Sequence, residues 1–312
     1  MNEYLRLEKI TKAYDGKIAV DRLSLVVPKG AIYGMLGPNG AGKTTTIRMI
    51  MDIIAPDSGE IIVEGKRANK DFNDRVGYLP EERGLYKKMT LLEVITYLAE
   101  MKGMTRQDAV KKIDGWLEKM SLGEYKNRKV EELSKGMQQK LQFITTLIHN
   151  PDLIILDELF SGLDPINIEL VKGILLDEKR AGKTILFSTH VMEQAEKLCD
   201  YICLINRGKL VIDGRLSEVK SRFGKNSIQV ELEGDSAFVK AIPGVENVTE
   251  FNNYVELGLS PAADSQEVLR QIADKVKVRR FQLMEPSLYK IFIDVARTKP
   301  EDFTEPERAS HA

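Results

Sequence analysis

Cysteine and histidine are scarce in this sequence, with two and three residues among 312. With two cysteines and no export signal, a reducing cytoplasm is the expected compartment. Cys199 and Cys203 have no Cys or His pair nearby to complete a metal site, so they read as buried free thiols. Charge of one sign is lacking too. Forty-six basic residues against 47 acidic give a net charge of −1, which supplies no general attraction to nucleic acid or to an anionic membrane. Long hydrophobic runs are absent. The longest charge-free stretch, Gly30–Gly42, has thirteen residues, too few to span a bilayer. The opening MNEYLRLEKI carries Glu3 and Glu8 without an apolar core, and does not read as a signal peptide. No internal repeat is found. What is present is ordinary globular composition, 43% hydrophobic and 30% charged, enough for one large domain or two ordinary ones.

Along the chain, residues 4–36 read as antiparallel strands with turns at Asp15-Gly16 and Lys29-Gly30. Within them AIYGML (31–36) is a short apolar strand. It runs into GPNGAGKTT and then a helix with Ile47, Ile50, Met51 and Ile54 on one face. Residues 91–150 are mainly helical. DLIILDE (152–158) and KTILFST (183–189) are buried strands, and 201–214 reads as a hairpin turning at Asn206-Arg207-Gly208. Strands thus resume after a helical insertion, which predicts an α/β core split by a helical subdomain at about 84–150. After SRFGKNS, a linker by composition, the predicted order is a strand from Ile228, a helix over 235–242, a hairpin around Asn252-Asn253, a helix over 264–275 and a strand over 276–283. That βαββαβ order is ferredoxin-like. A last helix is expected from Pro286 as N1, with Leu288, Ile291, Phe292 and Val295 as a packing stripe. Residues 298–312 read as a disordered tail.

Chemistry is concentrated at three strand ends. Gly37 to Thr44 fits G-x-x-x-x-G-K-[ST], a phosphate-binding loop between strand and helix. Chance would supply this pattern in about one chain of this length in a hundred, so its strand–helix context matters as much as its letters. Gly37, Gly40 and Gly42 let the backbone wrap phosphates, together with Pro38, Asn39, Ala41 and Thr45. Lys43 reaches the β/γ oxygens and Thr44 offers a hydroxyl to Mg²⁺. Asp157 ends an apolar strand and places a carboxylate near that cation. Glu158, next to it, is the candidate to orient or deprotonate an attacking water. His190 leaves a third strand end. A lone His there is usually structural or a cap, and only its convergence with the other two suggests contact with the γ-phosphate or the water.

A second anion-binding arrangement lies far from the first. In LSKGMQQK (133–140), Ser134 can cap a helix whose Met137, Leu141, Ile144 and Ile148 recur at helical spacing. Ser134-Lys135-Gly136 would put bare N–H groups at that helix start.

The order P-loop, LSKGMQQK, LIILDE, SGLDP and STH resembles the ATP-binding subunits of ABC transporters over residues 3 to about 215. The resemblance implies ATP and Mg²⁺ as ligands, and a head-to-tail pairing of two such subunits. Ser134 and Gly136 would then serve the partner's nucleotide, and Asp164 would signal between the sites. Tyr14 would stack on adenine, although by its own surroundings it reads equally as a half-buried strand residue. Three departures stand out. The usual LSGGQ is LSKGM, the loop that usually carries Gln has Glu81, and Leu159 replaces the usual Pro. Glu81 could still bind the cation or water, with added charge. Together with EPSLYKIF (285–292), these features resemble exporter-type ATPases whose membrane subunit is a separate polypeptide.

The βαββαβ order makes 222–297 a small accessory α+β domain, and the resemblance implies a P-loop ATPase domain over 1–220 with an antiparallel β subdomain within it. The resemblance also implies a cytoplasmic protein peripheral on the inner face of the cell membrane, partnered by a transmembrane permease and a second ATP-binding subunit, identical or not, with no nucleic acid. A soluble ABC-type ATPase acting on ribosomes or DNA is the alternative. It is opposed by the single nucleotide domain, the missing heptad run and the missing basic stretch. A regulator that binds without turnover is opposed by Glu158 and His190.

Overall fold

The computed structural model describes residues 2–67, 72, 74–82, 84–223, 227–260, 262–284 and 286–297. Its contacts divide the chain into two compact units that meet in sequence at Gly214 and Arg215.

In the first unit, β1 (Glu3–Tyr14) and β2 (Lys17–Pro28) form an antiparallel hairpin. Asp15 and Gly16 link them at φ 47° and 77°. Two successive positive φ values match the right-handed twist of such ribbons. β3 (Ile32–Leu36) does not continue this antiparallel sheet, contrary to the expectation for residues 4–36. All five of its residues are buried, and it pairs in parallel with strands on both sides. A continuous apolar run without alternation suits a strand covered on both faces.

Next come α1 (Lys43–Ile50), β4 (Ser58–Val63), β5 (Lys66–Arg67) and β6 (Val76–Leu79). The helical insertion follows as α2 (Leu91–Met101), α3 (Arg106–Lys119) and α4 (Lys135–Leu147), with 3-10 turns at 123–125 and 130–132 between the last two. Each helix starts at a side chain that accepts a backbone N–H. Thr90 makes a capping box with Glu93, Thr105 caps α3, and Ser134 caps α4. The unit closes with β7 (Leu153–Asp157), α5 (Pro165–Arg180), β8 (Thr184–Thr189), α6 (Met192–Leu198), β9 (Tyr201–Asn206) and β10 (Lys209–Arg215).

The strands form two sheets, ordered β2-β1-β4-β5 and β10-β9-β3-β8-β7-β6. The run from β9 through β6 is parallel. One apolar cluster joins Leu5, Leu7 and Ile10 of the hairpin to Tyr33, Met35, Ile47, Ile155 and Leu186. Burial of that area is the main stabilising term for such a layered unit.

The second unit holds α7 (Leu216–Arg222), β11 (Ser227–Glu233), β12 (Val245–Glu250), β13 (Val255–Leu259), α8 (Ser265–Ala273), β14 (Lys277–Met284) and α9 (Leu288–Arg297). Its antiparallel sheet has the order β12-β13-β11-β14, the ferredoxin-like arrangement. Two details differ from expectation. The helix expected over 235–242 is only a 3-10 turn, Ala237–Ala241, cut short by Pro243 and Gly244. The last helix starts at Leu288, because Ser287 accepts the Lys290 N–H at 3.2 Å, so Pro286 precedes the cap instead of filling N1. Leu288, Ile291 and Val295 of the expected stripe are buried. The expected tail, 298–312, lies outside the described residues, as does part of the linker at 224–226.

Candidate functional site

Parallel register brings the three chemistry-bearing strand ends to one edge. Leu36 of β3 pairs with Thr189 of β8, and Asp157 of β7 with Ser188 of β8. The segments that follow these strands, beginning at Gly37, Glu158 and His190, therefore leave the sheet side by side. The carboxyl edge of a parallel sheet is where open α/β folds bind ligands.

The loop from Gly37 to Gly42 is shaped by what surrounds it. Gly37 has φ 153°, and a Cβ there would stand 2.2 Å from the Ile205 carbonyl oxygen. Gly42, at φ 107°, would meet the Ala19 carbonyl at 2.5 Å. Both need glycine because backbone presses from outside. Gly40, at φ 77°, has nothing within 4 Å of a Cβ. Thr46 hydroxyl donates to the Gly42 carbonyl at 2.9 Å and ties the helix start to the loop. Thr44 and Thr45 are half-buried in the first turn of α1.

Lys43 is 5% exposed. Its ammonium donates to the carbonyls of Gly37 at 2.9 Å and Pro38 at 3.2 Å, and stands 3.5 Å from Glu158 Oε1. Glu158 Oε2 is 3.0 Å from His190 Nδ1. Lys43, Glu158 and His190, from three different elements, thus form one chain of contacts. Glu158 itself sits at φ 51°, a left-handed conformation that is costly for a residue with a Cβ. Its N–H is held by Ser188, through the side-chain oxygen at 3.2 Å and the carbonyl at 3.3 Å.

Asp157 has no exposed surface. One carboxylate oxygen accepts a hydrogen bond from the Ser188 hydroxyl, and the other, Oδ2, is buried without a hydrogen-bond partner among the described residues. A buried carboxylate oxygen left open this way is costly unless a ligand, cation or water completes it. Tyr78, on β6, lies within the reach of this acid. Its phenol is pushed up to about 12, first by burial and next by the charge of Asp157, with Glu81 adding a smaller push.

No group of three His, Cys, Asp or Glu side chains able to hold a metal occurs among the described residues. Glu81 is exposed and does not join Asp157 in such a cluster. The donor set still fits Mg²⁺ beside a phosphate chain. That cation keeps water and phosphate oxygens and needs only one or two protein oxygens. The glycine cradle and the open Asp157 Oδ2 meet that requirement.

Ser134 caps α4, and Gly136 lies in its first turn. The Ser134 oxygen accepts the Met137 N–H at 3.3 Å, as its sequence context predicted. A Cβ on Gly136 would meet only the Gly162 carbonyl, at 3.7 Å. Gln139 donates to the Leu159 carbonyl at 3.2 Å, which ties α4 to the loop after Glu158. Gln142 donates to the carbonyls of Pro80 and Glu82, which ties it to the loop carrying Glu81. Asp164 caps α5 and accepts the Asn167 N–H at 2.9 Å, a bond that does most to hold its carboxyl below the usual range. Tyr14 stands at the end of β1, 47% exposed, with the Lys12 ammonium 5.7 Å from its ring centre. The residues that sequence reading missed are Ser188, Gln139 and Tyr78. Ser188 was visible in FSTH, but its partnership with Asp157 depends on strand register, which no local pattern encodes. Cys199 and Cys203 are buried free thiols, as expected.

Comparison with known proteins agrees with this architecture. The ABC transporter family pattern matches residues 20–161, and that of the ATP-binding protein DrrA1-3-like, C-terminal domain, matches 214–296. An uncharacterized ABC transporter ATP-binding protein, YhaQ of Bacillus subtilis (strain 168), is 44% identical over 93% of this chain and 97% of its own. The linearmycin resistance ATP-binding protein LnrL of the same organism is 32% identical over 93% and 97%. A solved structure described as the ATP binding subunit of an ABC transporter superposes with a TM-score of 0.66 at 30% identity, covering 70% of this chain and 93% of that one.

Proposed function

Because the chain belongs to the family of ABC transporter ATP-binding proteins, and is an ATPase of that type, we infer that it powers export through separate membrane subunits. The relatives' names support the export reading, since one is linked to linearmycin resistance and another to daunorubicin and doxorubicin resistance. No helix among the described residues is long and apolar enough to cross a membrane, so the pathway would belong to another polypeptide. The chain would work at the inner face of the cell membrane. The ATP-binding role is assigned to the first unit, which ends at Gly214, and the accessory role to the second, from Arg215, a few residues ahead of the 220/222 boundary expected from the sequence.

The observation that carries the mechanism is the contact chain from Lys43 through Glu158 to His190 at the sheet edge. The backbone from Gly37 to Gly42 would receive the phosphates, with Pro38, Asn39, Gly40 and Ala41 in the turn and Thr45 on the first helical residues. Lys43 would exchange the Gly37 and Pro38 carbonyls for β/γ oxygens. Thr44 and Asp157 would hold Mg²⁺, with Glu81 as a further oxygen ligand, direct or through water. The cation would neutralise charge on the phosphate oxygens. Glu158 would take a proton from water as the water oxygen bonds to the γ-phosphorus and ADP leaves, while His190 steadies Glu158 and the γ-phosphate. Tyr14 would lie against adenine.

Two such subunits would pair head to tail. Ser134 and Gly136 would then close over the partner's nucleotide, with Asp164 between the sites. The test is paired. ATP turnover by the purified chain should need Mg²⁺, and detergent extraction should recover the chain with a membrane polypeptide. Recovery with ribosomes or DNA instead would replace export by a non-transport role.

A further inference from the structure

We propose that Ser188 is a positioning residue of the hydrolytic site, whose hydroxyl sets Asp157 and Glu158 in the mutual orientation that Mg²⁺ and ATP need; this rests on the nucleotide site proposed above. Ser188 is fully buried on β8 and lies opposite Asp157 in the parallel register. A serine hydroxyl has one donor and two acceptor sites. Here the donor goes to Asp157 Oδ1, and the oxygen accepts the Glu158 N–H at 3.2 Å. One small group therefore touches both acids of the site.

Each bond has a consequence. With Oδ1 occupied by the hydroxyl, the rotation of the Asp157 carboxylate is fixed. Its free oxygen is then Oδ2, buried and open. A second partner that orients a metal-binding carboxylate typically matters roughly 10–100-fold in metal affinity or activity. The other bond shares the Glu158 N–H with the Ser188 carbonyl, 3.3 Å away, and helps to hold that peptide at φ 51°, a conformation that persists only where its surroundings impose it. That conformation directs Oε1 to within 3.5 Å of Lys43 and Oε2 to within 3.0 Å of His190. If Ser188 merely filled the strand, any residue of its volume would serve. The geometry makes the hydroxyl itself the active feature.

The test uses the full chain and three variants, Ser188→Ala, Ser188→Cys and Ser188→Thr. ATP binding is followed by calorimetry without and with Mg²⁺, and turnover is measured separately. Ser188→Ala should bind ATP without Mg²⁺ as the natural chain does, because the loop and Lys43 are untouched. The gain in affinity on adding Mg²⁺ should shrink by roughly tenfold, and kcat should fall by roughly 10–100-fold, with KM for the Mg²⁺–nucleotide rising in step with the weaker binding. Ser188→Thr keeps the hydroxyl and should restore both. Ser188→Cys keeps the branching with a somewhat larger atom and a weaker donor and should be impaired like Ala, so it carries the test should Ala fail to fold. Natural-level Mg²⁺ response and kcat in the folded Ala or Cys variant would overturn the proposal. So would a Thr variant as impaired as Ala. A natural chain whose ATP affinity ignores Mg²⁺ would bring down the metal reading as well, a result distinct from failure of Ser188 alone.

Discussion

Glu158 is held at its amide by Ser188, at one oxygen by His190 and near the other by Lys43. Replacing it with Gln keeps its volume and removes its basicity. Glu158→Gln should leave ATP affinity within a few-fold of natural while turnover falls by about 10²–10⁴. Calorimetry beside a phosphate-release assay checks both halves, and near-natural turnover would remove Glu158 as the base. Gly37 and Gly40 allow a sharper residue-scale comparison. Both have positive φ, but only Gly37 has a carbonyl oxygen 2.2 Å from where a Cβ would stand. Gly40→Ala should cost about 1–2 kcal/mol, the backbone penalty alone. At that cost a unit of this size loses only several degrees of melting temperature. Gly37→Ala must also move backbone, so its melting temperature should fall markedly further. Equal losses would mean that crowding at Gly37 is relieved without cost. Residues whose role is written in local spacing, such as Lys43 and Glu158, were legible in the sequence. Ser188 was not, because its role comes from a strand thirty residues away.

At the scale of elements, the helix beginning at Ser134 was legible from its cap and spacing, while the strand it packs on was not. Val76–Leu79 is only four residues long, and short apolar runs carry no period that distinguishes strand from helix. The two are pressed together at Gly77, where a Cβ would meet the Thr146 carbonyl at 2.3 Å. His149, just past α4, completes the junction with a 3.3 Å contact from Nε2 to the Val76 carbonyl. Burial, and after it the charge of Lys102, pull its imidazole down to about 4. The sign follows from proton counts. Between pH 6.5 and 4 the unfolded chain binds more protons at this residue than the folded one, so stability rises with pH across that window and is lost as pH falls through it. Between pH 7 and 5 the loss should be roughly 1–2 kcal/mol, reduced by the water that still reaches the ring. His149→Gln can keep a donor toward Val76 without titrating. Its drop in melting temperature from pH 7 to pH 5 should be smaller than the natural chain's, and an identical drop would show that His149 does not drive the acid sensitivity.

For the whole molecule, the two-unit plan could be read from the composition shift near residue 215 and from the βαββαβ order. The reduction of that order's first helix to one 3-10 turn could not, since it depends on how little chain precedes Pro243. The arrangement of two copies is a matter of geometry between chains, and a mixed dimer addresses it directly. Among the described residues no hydrogen bond or ion pair joins Ser134 to the Lys43–Glu158–His190 chain; its side-chain oxygen caps its own helix, and a Cβ on Gly136 would meet only the Gly162 carbonyl. Such a helix start is placed to receive an anion that another molecule brings. Let one subunit carry Ser134→Arg and the other Lys43→Ala. If each site joins one chain's phosphate loop to the other chain's helix start, both defects fall in one site and the second site is fully natural. Each homodimer, by contrast, has the same defect in both sites. Loss of the Ser134 cap costs about 1 kcal/mol, too little to unfold the subunit. The expected result is hydrolysis by the mixed dimer, purified with two different tags, and almost none by either homodimer. A mixed dimer that neither hydrolyses ATP nor retains it at the site predicted to be natural would show that each chain completes its own site.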